Sequence, residues 1–531
     1  MYCNVLSATI HGLEARVVNV EVDVDRGLPS FDMTGFLASE VKEARERVKV
    51  AIKNAGIELP PMKIVVNISP ANLRKGGTGF DLPIALAVLV SLGIIDKSQV
   101  DNTMIIGELS LNGRVNSVRG ILPCVCKCKE QGIGRCIIPV DNYTEASIVG
   151  GLELICIESL SELIDFLKTD NKEYSHNDNK HNNVFIRGKC NKEETDVDKE
   201  EPYNKERTSL IDYSDIKGQN VAKRATMIAV AGMHNLMYIG PPGSGKTMMA
   251  KRIPTIMPKL SYEESLEVTK VYSVAGKLKG ERQLITDRPY RAPHHNVTVS
   301  AMTGGGRIPV PGEITLAGKG VLFLDEMTEF KTEVLEALRQ PLEDRVINIV
   351  RSGFSYVYPA DFMLVGAMNP CKCGYYPDRN RCNCSDEDIN RYMGKLSNPM
   401  WDRFDICVRT QELGYEDISS DKDKEIINEE CSVFSESSDM SNLIIKARKI
   451  QNDRFKDSGI NYNAQMGVSD IRRHCKLGEE ESILMERMYK KLRLTARGYH
   501  KLLKTARTIA DLDGKENITC EHLTEAAFYR H

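Results

Sequence analysis

The chain has 531 residues, 41% of them apolar and 27% charged, with a net charge of −3. That length calls for two or three domains with ordinary cores. The near-neutral balance excludes a globally basic nucleic-acid binder. The longest apolar run, Ile84 to Leu92, is too short for a membrane span, and no N-terminal apolar segment reads as an export signal. A cytoplasmic location is therefore expected, where the fifteen cysteines point to thiols or a metal site rather than disulfides.

Residues 1–168 read as one α+β unit. Ala15 to Val24 alternates and is β-branched, which predicts a strand. Ser39 to Ala55 places Val41, Ala44, Val48 and Ile52 at helical spacing. Lys63 to Ile68 is a strand and Phe80 to Leu92 a buried helix. Met104 to Leu111 is a strand running into a hairpin-type turn at Asn112-Gly113. Cys124, Cys126 and Cys128 read as small buried hydrophobes, since only Cys124 and Cys128 would share a helix face. Cys136 to Val140 is a further strand. Residues 169–208 are dominated by Asn, Lys, Asp, Glu and His, the composition of a flexible linker. Residues 209–412 form a strand-rich α/β core. Residues 413–531 begin with a polar, acidic insertion near Tyr415 to Ser441. Helices follow over Leu443 to Phe455, Val468 to Cys475, Glu479 to Lys491, Ala496 to Leu512 and Cys520 to Tyr529.

The core opens with Gly240-Pro241-Pro242-Gly243-Ser244-Gly245-Lys246-Thr247, which fits the phosphate-loop pattern G-x-x-x-x-G-K-[ST]. An apolar strand, Leu236 to Ile239, precedes it, and a helix-compatible run, Met248 to Arg252, follows. The glycines let backbone N–H groups turn toward phosphate oxygens at a helix N-terminus. Lys246 is placed to reach the β- and γ-phosphates and Thr247 to hold Mg²⁺. A second buried strand, Val321 to Leu324, ends in Asp325-Glu326. Asp325 is the second Mg²⁺ candidate and Glu326 the group to polarise an attacking water. That acidic pair marks a hydrolase rather than a passive nucleotide binder.

A third strand, Phe362 to Ala367, delivers Asn369, which either contacts the γ-phosphate or simply forms a turn. Cys371, Cys373, Cys382 and Cys384 form two Cys-x-Cys pairs around a short loop. Four thiolates so spaced suit tetrahedral zinc; four unliganded thiols are the other reading. Arg403, in Trp401-Asp402-Arg403-Phe404-Asp405, is either a finger toward a neighbouring subunit's γ-phosphate or a partner in a local ion pair. Arg497, opening a C-terminal helix, has the same two readings, sensing nucleotide from the lid side in the first. The adjacent His294 and His295 do not converge on one helix face. They read as structural or interface residues.

The order of phosphate loop, Tyr290-Arg291-Ala292-Pro293-His294-His295, Gly304 to Gly306, Pro311 to Ala317, the Asp325-Glu326 strand, Asn369 to Cys371 and Asp402 to Asp405 resembles the magnesium-chelatase-like AAA+ ATPases. Within them the match is to the ComM/YifB subgroup, over nearly the whole chain. The resemblance implies a hexameric AAA+ ring using ATP and Mg²⁺, with Gly218-Gln219 near the adenine. It implies that Asn369 is sensor 1, Arg403 the arginine finger and Arg497 sensor 2. It also implies that the four cysteines are the subgroup's cysteine-rich loop. Lys75 to Asp81 and Gly107 to Val115 resemble a Lon-protease-type domain. The positions matched to its Ser and Lys are Gly79 and Leu122, so a non-proteolytic scaffold is implied.

Members of the subgroup are similar to helicases that migrate DNA branches in natural transformation. For this chain the resemblance implies a motor on single-stranded or branched DNA, with recombination proteins as candidate partners. Gly304 to Arg307 and the hairpin of Arg345 to Tyr358 are the candidate pore loops, plain packing being the other reading of the hairpin. The alternatives are a magnesium-chelatase ATPase subunit and a protein-remodelling chaperone.

Overall fold

The computed structural model describes residues 2–168, 188–189, 212–278, 284–306, 309–351, 354–412, 436–456 and 458–530. Two sheets organise them. The first has eight strands, in spatial order Gly188–Lys189, Glu153–Ile157, Arg135–Pro139, Thr103–Ile105, Tyr2–His11, Glu14–Asp25, Lys63–Ser69 and Ser30–Thr34. Glu14–Asp25 buries Val18, Val20, Val22 and Val24 on one face, the period-two pattern its sequence predicts. Tyr2–His11, which sequence reasoning missed, pairs antiparallel with it along its whole length. The helix Ser39–Asn54 buries Val41, Ala44, Val48, Ala51 and Ile52. Asp81–Ser91 is buried throughout.

Two expectations need correction. Met104 to Leu111 is not one strand: it splits into Thr103–Ile105 and Glu108–Leu109. Between them the Gly107 N–H donates to the Gly79 carbonyl at 3.0 Å, and the Gly107 carbonyl accepts from the Leu82 N–H at 3.0 Å. The backbone thus leaves the sheet to bind the start of the Asp81–Ser91 helix. A Cβ on Gly107 would lie 2.9 Å from a Leu82 methyl, so a side chain there would have to push Leu82 aside. Within the expected linker, Gly188–Lys189 pairs antiparallel with Glu153 and Leu154; the other linker residues, 169–187 and 190–208, lie outside the described residues. Most of the acidic insertion does too, but its last part, from Glu436, already belongs to the helix Glu436–Phe455.

The second sheet is fully parallel, in order Tyr290–Arg291, Val321–Leu324, Met363–Met368, Leu236–Ile239 and Ile406–Arg409. Its three central strands are buried at every position, as continuous apolar runs covered on both faces should be. One face shares a core with the C-terminal helices through Tyr238, Val365, Ile444, Leu502 and Ile509. The other packs Met237, Leu322 and Leu364 against Phe330, Leu335 and the hairpin residues Tyr356 and Tyr358. That hairpin joins Val346–Arg351 to Phe354–Pro359.

The first sheet's unit touches this hairpin. His11 stacks on Tyr356 with ring centroids 4.6 Å apart, and Phe36 stacks on Phe354 at 5.8 Å. Leu13 packs into the hairpin's core. A second contact sets the helix Ile121–Glu130 against the helix Tyr262–Val274, where the Ser273 hydroxyl donates to the Glu145 carboxylate. Cys124, Cys126 and Cys128 are buried as expected. No helix among the described residues is long and apolar enough to cross a membrane.

Candidate nucleotide site

The phosphate loop leaves the central strand Leu236–Ile239 and enters the helix Lys246–Ile256. Gly243 and Gly245 take φ of +78° and +84°, a left-handed backbone that glycine adopts without strain. Gly240 is constrained by space instead: a Cβ there would sit 1.9 Å from Thr410 Oγ1. Ser244 Oγ lies 2.7 Å from the same hydroxyl, which ties the loop to the end of the last strand.

Lys246 is buried. Its ammonium donates to the carbonyls of Gly240 and Pro241, both at 2.7 Å, and to Asn369 Oδ1 at 3.2 Å. All three ammonium donors therefore rest on neutral oxygens, which anionic phosphate oxygens would displace. Burial lowers its pKa to about 8, with Asp325 and Glu326 pulling the other way. Thr247 Oγ1 donates to Asp325 Oδ2 at 2.7 Å. The two Mg²⁺ candidates, from different elements, thus converge on one point, and an all-oxygen pair suits that hard ion. Glu326 is exposed with φ of +49°, a sparsely populated conformation for a side-chain-bearing residue. Gln219, at φ +57° after Gly218 at φ +60°, donates to the Ser244 carbonyl at 3.3 Å and the Gln411 carbonyl at 2.6 Å. Gln219 thus joins the phosphate loop to the segment after the last strand.

The four cysteines come together beside the loop. Their sulfurs all lie within 4.8 Å of one another, with Cys371–Cys373 at 3.3 Å, Cys373–Cys382 at 3.5 Å and Cys371–Cys382 at 3.7 Å. Tetrahedral zinc with 2.3 Å arms sets sulfurs about 3.8 Å apart, so the donor set fits. The Tyr375 N–H, the largest influence on Cys373, lowers its pKa toward thiolate. The turn at Gly374 leans on the phosphate loop: a Cβ there would meet Pro242 Cδ at 2.7 Å.

Arg403 and Arg497 lie elsewhere. Asn235, just before the central strand, donates from Nδ2 to the Arg403 carbonyl at 2.8 Å. Arg403 therefore sits at the N-terminal edge of the parallel sheet, whereas the phosphate loop leaves the C-terminal edge, about 13 Å of strand away. Lys501, one turn beyond Arg497, fixes this segment through the Asp402 and Phe404 carbonyls and a 3.2 Å ion pair to Asp405. Burial would raise the Asp405 pKa, but Lys501 and His234 outweigh it and hold the carboxyl well below the usual range. Arg497 ends beside Arg403 rather than over its own phosphate loop. Both pair with Glu343, Arg403 at 2.6 Å. Glu343 was not among the sequence candidates. His294 and His295 lie with ring centroids 4.0 Å apart; nearby Arg291 pairs with Glu313 at 2.6 Å. Gly79 is backed by Ile106 and Val118, and Leu122 is fully buried. Neither offers a nucleophile or a base.

A phosphate loop and an acidic strand end on a five-stranded parallel sheet with a helical C-terminal region define an AAA+ module of magnesium-chelatase type. Family models agree: magnesium chelatase subunit ChlI matches residues 212–418, its C-terminal part residues 435–530, and a further ChlI model residues 20–142. The chain is 37% identical to competence protein ComM of Haemophilus influenzae over 527 residues, 99% of this chain and 97% of that one. It is also 37% identical to the YifB protein of Escherichia coli over 520 residues, 98% and 95% of the two chains. The 67 kDa magnesium-chelatase subunit of Chlorobaculum parvum matches at 26% over 30% of this chain and 24% of its own. The chain belongs to the ComM/YifB family of magnesium-chelatase-like AAA+ proteins.

Proposed function

We propose that this protein is an ATP-hydrolysing motor, assembled as a homo-hexameric ring, that moves along single-stranded or branched DNA and migrates branches during recombination. Full-length similarity to a competence protein carries the DNA part of this reading. The separation of Lys246 from Arg403 across the sheet carries the ring part, because a nucleotide held at one edge is completed by an arginine from a neighbour. In each site Lys246 and the loop N–H groups hold the phosphates, Thr247 and Asp325 hold Mg²⁺, and Glu326 orients water. Asn369 marks the γ-phosphate, while Arg403 and Arg497 approach it from the adjoining protomer. The Mg²⁺ supplies charge neutralisation at the phosphates. We further propose that residues 1–168 are a non-proteolytic scaffold of Lon type, since Gly79 and Leu122 stand where its chemistry would be.

The test is ATP turnover with single-stranded, duplex and four-way-junction DNA. Stimulation greatest with junctions or single strands is expected. Turnover indifferent to every DNA would remove the DNA reading and favour a protein substrate. Turnover raised instead by a porphyrin-holding subunit would favour the chelatase alternative, which the family models and the partial match to a magnesium-chelatase subunit support.

The cysteine knuckle is proposed to hold one zinc. Elemental analysis should find about one equivalent per chain, lost in Cys371→Ser/Cys373→Ser. Less than half an equivalent in the unsubstituted protein would count against the site.

A further inference from the structure

Arg403 and Arg497 share one carboxylate. Arg403 binds Glu343 Oε2 at 2.6 Å, and Arg497 binds Oε1. They line an open cleft of about 570 Å³ at the sheet edge away from the phosphate loop. Of the other cations there, Arg345 pairs with Asp361, Lys501 with Asp405, and Lys504 donates to the Ala464 carbonyl. The two arginines depend on Glu343.

The arrangement is incomplete in a telling way. The Arg403 side chain is 10% exposed, yet its Nε finds no acceptor among the described residues. Glu343 accepts from Arg403 Nη2 and Arg497 Nη2, one on each oxygen, and neither oxygen is hydrogen-bonded to that Nε. A terminal phosphate carries three oxygens and more negative charge, and would satisfy both forks and the orphan Nε. Glu343 and Arg497 are both about half exposed, and an ion pair exposed on both sides is weak enough to be exchanged.

We propose that Glu343 is an intramolecular stand-in for the γ-phosphate: it keeps Arg403 and Arg497 together on the free edge of a protomer and yields them to the nucleotide of the adjoining one. This rests on the reading of Arg403 as a finger acting between protomers. Glu343 is then a positioning residue that competes with the substrate phosphate during assembly.

The experiment measures specific ATPase activity against protein concentration for the full chain, for Glu343→Gln and for Arg403→Ala, with thermal melts to confirm folding. Without its competitor the neighbour's phosphate captures the arginines more readily. Glu343→Gln should therefore reach half-maximal specific activity at about two- to five-fold lower protein concentration, the size of one exposed ion pair. A merely structural carboxylate predicts no shift or a higher concentration. Either result, with Arg403→Ala inactive, overturns the stand-in and leaves the finger standing. Full turnover by Arg403→Ala would overturn the finger, and the stand-in with it.

Discussion

Lys246→Ala is expected to lower ATP turnover at least about a hundredfold, the loss that follows removal of one preorganised charge-stabilising group. The ammonium is buried, and its present acceptors are the Gly240 and Pro241 carbonyls and Asn369. No other cation among the described residues is hydrogen-bonded to those oxygens, so phosphate charge entering the loop would go unneutralised. The loop backbone is held independently, through Ser244 and Thr410, so the substitution should spare the fold. Titration with a fluorescent ATP analogue separates lost binding from lost chemistry. Turnover equal to that of the unsubstituted protein would sink the assignment of the loop.

Arg403→Ala should leave ATP binding intact and reduce turnover by about a hundredfold or more, in the manner of an arginine finger. The decisive measurement mixes it with Lys246→Ala, both inactive alone. If the arginine serves the neighbour's nucleotide, an interface joining the intact loop of one variant to the intact finger of the other is competent. A random one-to-one mixture then restores about a quarter of the sites, given head-to-tail interfaces closed into a ring. An arginine acting within its own protomer restores none. Silence on mixing, with both variants shown to co-assemble, would refute the finger.

The sequence makes the nucleotide loop legible because chemistry and burial there leave few options. Leu236–Ile239 and Val321–Leu324 must be apolar at every position, and each ends in residues that metal and phosphate chemistry require. The helix Ser39–Asn54 is legible for a similar reason, one face being fixed by a single core. Elsewhere meaning depends on distant partners. Tyr2–His11 is a strand because Glu14–Asp25 pairs with it at every step. Met104 to Leu111 breaks because Gly107 is claimed by Gly79 and Leu82. The Cys-x-Cys pairs gain their force only when a turn brings the four sulfurs together. Glu343 carries no local signature at all: its two arginines stand 60 and 154 residues away.

The stacking of His11 on Tyr356 and of Phe36 on Phe354 has a mechanical consequence. Each aromatic pair is worth about 0.5–1.5 kcal/mol beyond the area it buries. With Leu13 packed beside them, the two stacks join the N-terminal unit to the hairpin through side chains. A hairpin that swings with each nucleotide turned over would break and remake this contact at little cost against the energy of the cycle. Any movement of the hairpin would therefore load the N-terminal unit through His11, Leu13 and Phe36. The first sheet would then keep time with the second, as a follower rests on a cam.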